Sequence, residues 1–183
     1  KDMTLMKDYT AWLGKENMVL YKGSSFILQT LNRLSNIDRD EKSFFDLGLS
    51  YLDGLVKNFS VVQDSDKMKM YLSSFVMSVL AVSGRLPCFF GCVVCEKDDC
   101  RNDDGWNLTS HGLMHRQCIV NTNFTETTIV LTCQDKKNIE NLLLMSGEKF
   151  INLNIDRVDI EKIYSMTLFL LSAYLGQDIG QNI

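Results

Sequence analysis

The sequence predicts a mainly α-helical fold, a bundle interrupted by a small irregular insert rich in Cys and His that carries a β-hairpin. Three observations lead there. A single proline, Pro87, in 183 residues permits long uninterrupted helices. Several segments space their apolar residues at helical period. That period then fails over residues 88–118, and residues 88–133 hold all six cysteines and both histidines.

Taken in order, residues 3–13 suit a short helix stopped by Gly14. Ser24-Ser25 is expected to cap a helix over 26–34, with Phe26, Ile27, Thr30, Leu31 and Leu34 on one face. Over residues 40–59 the stripe Phe45, Leu49, Leu52, Val56 and Phe59 steps by 4, 3, 4 and 3. Gly48 and Gly54 interrupt it, each costing about 1 kcal/mol against Ala, so a close-packed neighbour is expected at both. A further helix runs from Asp64 or Ser65 to Ser83, with Met68, Leu72, Phe75, Val76, Val79 and Leu80 as its stripe and Gly84 and Pro87 as stop signals. Its Met68, Met70 and Met77 suit either core filling or an adaptable binding surface.

After the irregular segment, residues 119–121 and the β-branched run 127–132 read as two strands joined by a turn over 121–126. Asp135 is expected to cap a helix reaching Met145, residues 150–153 to form a short strand, and Asp156 to open a last apolar helix ended by Gly176. There are no repeats, so the expectation is one helical domain over 1–183 with residues 88–133 inserted in it.

Composition narrows the class. Hydrophobic residues make up 45% and charged residues 23%, as in globular proteins, and this length supports a core without staples. The formal charge is −4, and the longest basic run is the pair Lys136-Lys137, so no linear footprint for a phosphate backbone is visible. The apolar stretches 71–82 and 163–175 fall short of the roughly 20 residues of a spanning helix. The opening Lys1-Asp2-Met3-Thr4 lacks the apolar core of a signal peptide and suits a fragment or processed product.

The knot carries the chemistry. Cysteines acting as small hydrophobes would be scattered through the apolar stripes, whereas these are confined to one segment. Cys92-Val-Val-Cys95 is a knuckle whose two thiolates can converge on one ion. His111, His115 and Cys118 follow at spacings of 4 and 3, one face if the segment is helical. Tetrahedral Zn2+ takes four N or S ligands, and the knuckle with two of those three residues supplies them. The preferred set is Cys92, Cys95, His115 and Cys118, with His111 as the alternative partner. Cys88, Cys100, His111 and Cys133 could build a second site. Disulfides are the rival reading, supported by an even cysteine count and the sequons at Asn58, Asn107 and Asn123. Histidines, which disulfides do not use, favour zinc.

The spacing lacks the eight ligands of RING fingers and the His-x-Glu of zinc deaminases. It shares the ligand spacing of BIR domains without their surrounding signature, so no family is assigned. No phosphate-cradling glycine loop is present. Asp98, Asp99, Asp103 and Asp104 would repel a nucleic-acid backbone, which makes RNA or DNA binding the runner-up. The expectation is therefore a non-enzymatic, zinc-stabilised interaction or regulatory module, intracellular, whose partner is another protein. The acidic loop Asp98, Asp99, Asp103 and Asp104 with Trp106 is the expected partner surface. The Asn-, Asp-, Ile- and Met-rich, proline-poor composition suits a viral regulator of host proteins. If the cysteines are disulfides, the expectation becomes a secreted helical binding protein.

Overall fold

The computed structural model describes residues 18–35, 41–59, 64–98, 105–109, 111–122, 128–144, 149 and 152–176. Among them are six helices, α1 (Met18–Leu34), α2 (Glu41–Phe59), α3 (Ser65–Val82), α4 (Arg116–Thr122), α5 (Cys133–Leu144) and α6 (Arg157–Leu175). Three short strands, β1 (Trp106–Leu108), β2 (Leu113–His115) and β3 (Ile129–Leu131), form an antiparallel sheet in the order β2-β1-β3. The fold is mainly helical with a small sheet, as the sequence predicts. The helix expected over 3–13 lies outside the described residues.

Helix α3 is the hub. Asp64 opens it by accepting the amides of Asp66 and Lys67 on Oδ1, each at 3.0 Å. The expected stripe is buried, but so are Met70, Tyr71, Ser73, Ser74 and Met77. A helix covered on all sides has lost its polar face, and α1, α2, α5 and α6 all pack on it. The methionines are thus core. The buried serines of α3 find partners: Ser73 donates to the Lys69 carbonyl at 2.8 Å, and the Tyr51 hydroxyl lies 2.8 and 2.9 Å from the Ser74 and Ser78 hydroxyls.

Two helices begin or face differently from expectation. Helix α1 already runs through Ser24, whose hydroxyl donates to the Leu20 carbonyl at 2.9 Å as a mid-helix back-bond and is not a cap. In α2 the buried face is Phe44, Gly48, Leu52, Leu55 and Phe59, while Phe45 is exposed. A Cβ on Gly48 would lie 2.2 Å from Leu31 Cδ1, and one on Gly54 would lie 2.0 Å from the Tyr71 hydroxyl. Neighbouring helices enter at these notches, and Phe44, Gly48 and Leu55 are buried in place of Phe45, Leu49 and Val56, while Leu52 and Phe59 are buried as expected.

The last helix matches expectation. Asp156 precedes α6, and Gly176 ends it in the left-handed region at φ 65°, its amide donating to the Ser172 carbonyl. Ile160, Ile163, Met166, Leu170 and Leu171 are buried. No helix among the described residues is long and apolar enough to cross a membrane.

The small sheet departs most. Residues 119–121, expected as a strand, lie in α4, and β3 instead pairs with β1 in the register Asn107↔Val130. The hairpin is β1–β2, with Trp106 opposite His115 and Leu108 opposite Leu113. Asn152 and Leu153 form a turn and bend, so the expected strand is absent from the described part of 150–153. Helix α5 is capped by Thr132, whose hydroxyl accepts the Asp135 amide at 3.1 Å while the Asp135 carboxylate accepts the Thr132 amide at 2.6 Å. This reciprocal capping box makes Asp135 the third helical residue and not the cap.

Candidate metal centre

The segment entering the knot runs along β2. Cys88 donates its amide to the His111 carbonyl at 3.1 Å and accepts from Leu113 at 2.9 Å, forming a parallel bridge with Gly112. Gly112 has φ 146°, and a Cβ there would sit 2.5 Å from the Cys88 carbonyl oxygen, so only glycine allows this approach. The chain then turns through the knuckle. Cys92 accepts from Glu96 at 2.8 Å and donates to the Lys97 carbonyl at 2.9 Å, while Val93 donates to Leu113 at 2.9 Å and pins the turn to the hairpin. Glu96 takes φ 62° to close it.

Four side chains converge there. Cys92, Cys95, His115 and Cys118 present ligand atoms that all lie within 4.8 Å of one another. His115 ends β2 and Cys118 lies in the first turn of α4, so a strand-to-helix junction supplies two ligands to the knuckle's two. The expected single helical face carrying 111, 115 and 118 does not occur, because three different elements carry them. His115 Nδ1 lies 3.3 Å from Cys95 Sγ, and the His115 amide donates to Cys92 Sγ at 3.4 Å. Ligand atoms around a tetrahedral Zn2+ stand about 3.3–3.8 Å apart, so small side-chain adjustments close the cluster on an ion. This Cys3His group can hold a metal ion.

The electrostatics of the group favour a cation. Burial raises the Cys92 thiol, but amide hydrogen bonds from Cys95, His115 and Val94 outweigh it and bring the thiol down to about 6. Cys118 is pushed up to about 12, by burial and then by its hydrogen bonds and charge repulsion with Cys92 and Cys95. The pocket thus stabilises negative charge on one sulfur and resists it on another. A divalent ion held by these four side chains would remove that conflict by favouring the thiolate on both sulfurs.

Behind His115 stands Trp106, 1% exposed, its ring centroid 4.2 Å from the imidazole at an interplanar angle of 34°. The β1–β2 register places these rings opposite each other. Trp106 covers the imidazole from behind, and its burial removes it from the expected partner surface. Lys136 is the residue that sequence reasoning missed. It lies in α5 with 7% of its side chain exposed, 5.5 Å above the Trp106 ring, and pairs with Asp98 at 2.6 Å and with Glu140. In the sequence it is half of an ordinary Lys-Lys pair, and no linear signal distinguishes it.

The other expected residues separate. His111 is exposed and outside the cluster, as is Cys88. Cys133 is disulfide-bonded, which removes it from the expected second metal site with Cys88, Cys100 and His111. Cys88, Cys92, Cys95 and Cys118 are outside any disulfide. A disulfide at Cys133 and a Cys3His group able to hold a metal ion therefore stand side by side. Cys100, Asp99, Asp103, Asp104 and Asn123 lie outside the described residues. Asp98 is exposed at the knuckle's exit. Asn107 of the second sequon is 7% exposed within β1, and the Asn58 amide donates to the Gly54 carbonyl at 2.8 Å.

No family model, curated protein or solved structure matches the chain. The functional reading rests on the site itself.

Proposed function

We propose that the chain is a non-enzymatic interaction module whose knot is held by one structural Zn2+ on Cys92, Cys95, His115 and Cys118. The observation that carries this is the closed Cys3His group, with four protein ligand atoms within 4.8 Å of one another. Catalytic zinc keeps a position open for water or substrate, whereas four protein ligands fill a tetrahedral shell. The groove between α1 and α2 is lined, among the described residues, by Leu31, Ser35, Lys42, Phe44 and Phe45, and Ser35 donates to the Asn32 carbonyl at 2.9 Å.

The interaction reading is supported by apolar side chains displayed around the knuckle. Phe90 is 63% exposed, and Val93 and Val94 are exposed beside it. Phe90→Ser is expected to abolish capture of a protein partner without changing zinc content. A second reading, a secreted helical binding protein, is favoured by the disulfide at Cys133. It changes the compartment and leaves the metal centre as it is.

Metal analysis of the purified chain tests the proposal. The expected result is one zinc per chain, loss of that zinc in Cys118→Ser, and four thiols titrating after chelation and denaturation, from the four cysteines outside a disulfide. A chain that carries no zinc and takes none up from a zinc buffer, with its thiols reduced, sinks the reading.

A further inference from the structure

We propose that Lys136 and Trp106 are positioning residues of the metal centre, holding His115 and the knuckle in the binding arrangement before the ion arrives. This rests on the reading of Cys92, Cys95, His115 and Cys118 as a zinc site.

The contacts form a continuous path from the bundle to the ligands. Helix α5 is anchored by buried Ile139 and Leu142 and by the ion pair of Asp135 with Lys162 of α6. From α5, Lys136 reaches Asp98, three residues beyond Cys95, and ties down the exit of the knuckle. The same ammonium lies over Trp106, and Trp106 backs the His115 ring. With its plane set by that ring, His115 presents Nδ1 to Cys95 Sγ at 3.3 Å.

The choice of residue supports the role. Burial disfavours the Lys136 ammonium, but its hydrogen bonds to Asp98 and Glu140 outweigh that and hold its pKa above the usual lysine value, whereas an apolar side chain would need no such partners. Met fits the same volume and could still cover Trp106. What Met could not do is grip Asp98 and Glu140 together while resting a cation on the indole face. Groups that orient metal-bound histidines typically alter metal affinity by about 10–100-fold when replaced.

The test uses the full chain. Zn2+ affinity is measured by competition with a chromophoric chelator, and Co2+ is substituted to read ligand geometry from its visible d–d bands. Lys136→Met is expected to weaken zinc about 10–100-fold. Stoichiometry should stay at one, the Co2+ bands should shift, and the metal-free melting temperature should stay near the parent value. Lys136→Arg, which keeps the charge, should recover most of the affinity. Trp106→Phe should also shift the Co2+ bands, and Glu140→Gln, the milder change if Lys136→Met fails to fold, should weaken zinc several-fold. Unchanged affinity and spectra in Lys136→Met, or in Glu140→Gln if that variant must stand in, overturn the inference while leaving the zinc site intact. A parent chain that binds neither Zn2+ nor Co2+ overturns both.

Discussion

Gly112 shows how little room the knot leaves at single positions. Its φ of 146° belongs to glycine, and the Cys88 backbone occupies the space a Cβ needs. Gly112→Ala is expected to destabilise by about 3 kcal/mol, from backbone strain and the steric push on Cys88 together. Gly84 also has a positive φ, 65°, but nothing lies within 4 Å of a Cβ there. Gly84→Ala should therefore cost only about 1 kcal/mol. Urea denaturation of both variants makes the comparison, and equal midpoints would show that the Cys88 approach is not the constraint. Neither difference was legible in the sequence, where both glycines are turn formers. The ligands were more legible, because a C-x-x-C knuckle and a His-x-x-Cys pair carry their own spacing. Lys136 was not, since its burial depends on a tryptophan and an acid brought from elsewhere in the chain.

At the scale of elements, α5 depends on the box between Thr132 and Asp135 and on the pairing of Asp135 with Lys162. Burial raises the Asp135 carboxyl, but hydrogen bonds from Lys162 and Thr132 outweigh it and hold the group below the usual carboxylate range. Its folded pKa is lower than its unfolded one, so its stabilisation is complete above about pH 4 and disappears as pH falls through the folded value. Asp135→Asn should cost about 2–3 kcal/mol at pH 7, less than a fully buried pair because Lys162 can return to water. The gap to the parent should close on acidification below pH 4. Denaturation at pH 7 and pH 3 reads this, and a gap constant with pH would refute it. Helices with strong end signals were readable in advance, α3 from Asp64 and Gly84 and α6 from Asp156 and Gly176. The face of α2 was readable only in part, since Leu52 and Phe59 are buried as expected but, beside the glycine notches that receive Leu31 and Tyr71, Phe44 and Leu55 replace Phe45 and Val56. Residues 119–121 are β-branched or polar, yet they continue a helix that must start where Cys118 meets the knuckle. There tertiary demand overrides propensity.

For the whole molecule, the proposed metal centre sits at the edge of the bundle core and is tied to it through α5. Among the described residues, Cys92 is the one candidate ligand inside the buried core, with Cys95 and Cys118 packed against its edge. Chelation should therefore open the knot while most helical ellipticity survives. In a Trp12→Phe background, Trp106 emission should shift to the red as its ring gains water. Collapse of the whole far-UV spectrum on chelation would show that the bundle depends on the ion as well. Adding a reductant should release the disulfide at Cys133 and loosen the start of α5 further.

The burial of α3 on every side has a consequence for synthesis. All four ligands lie between residues 92 and 118, whereas the helix that covers the last face of α3 begins at Arg157. At translation rates of about 5–20 residues per second, the knot has several seconds to take up the proposed ion before α6 emerges. During that interval the Met and Phe side chains of α3 face water and any chaperone at the tunnel mouth. The chain is thus expected to mature in two strokes, an early metal-dependent one in its middle and a late apolar one that waits for its last helix.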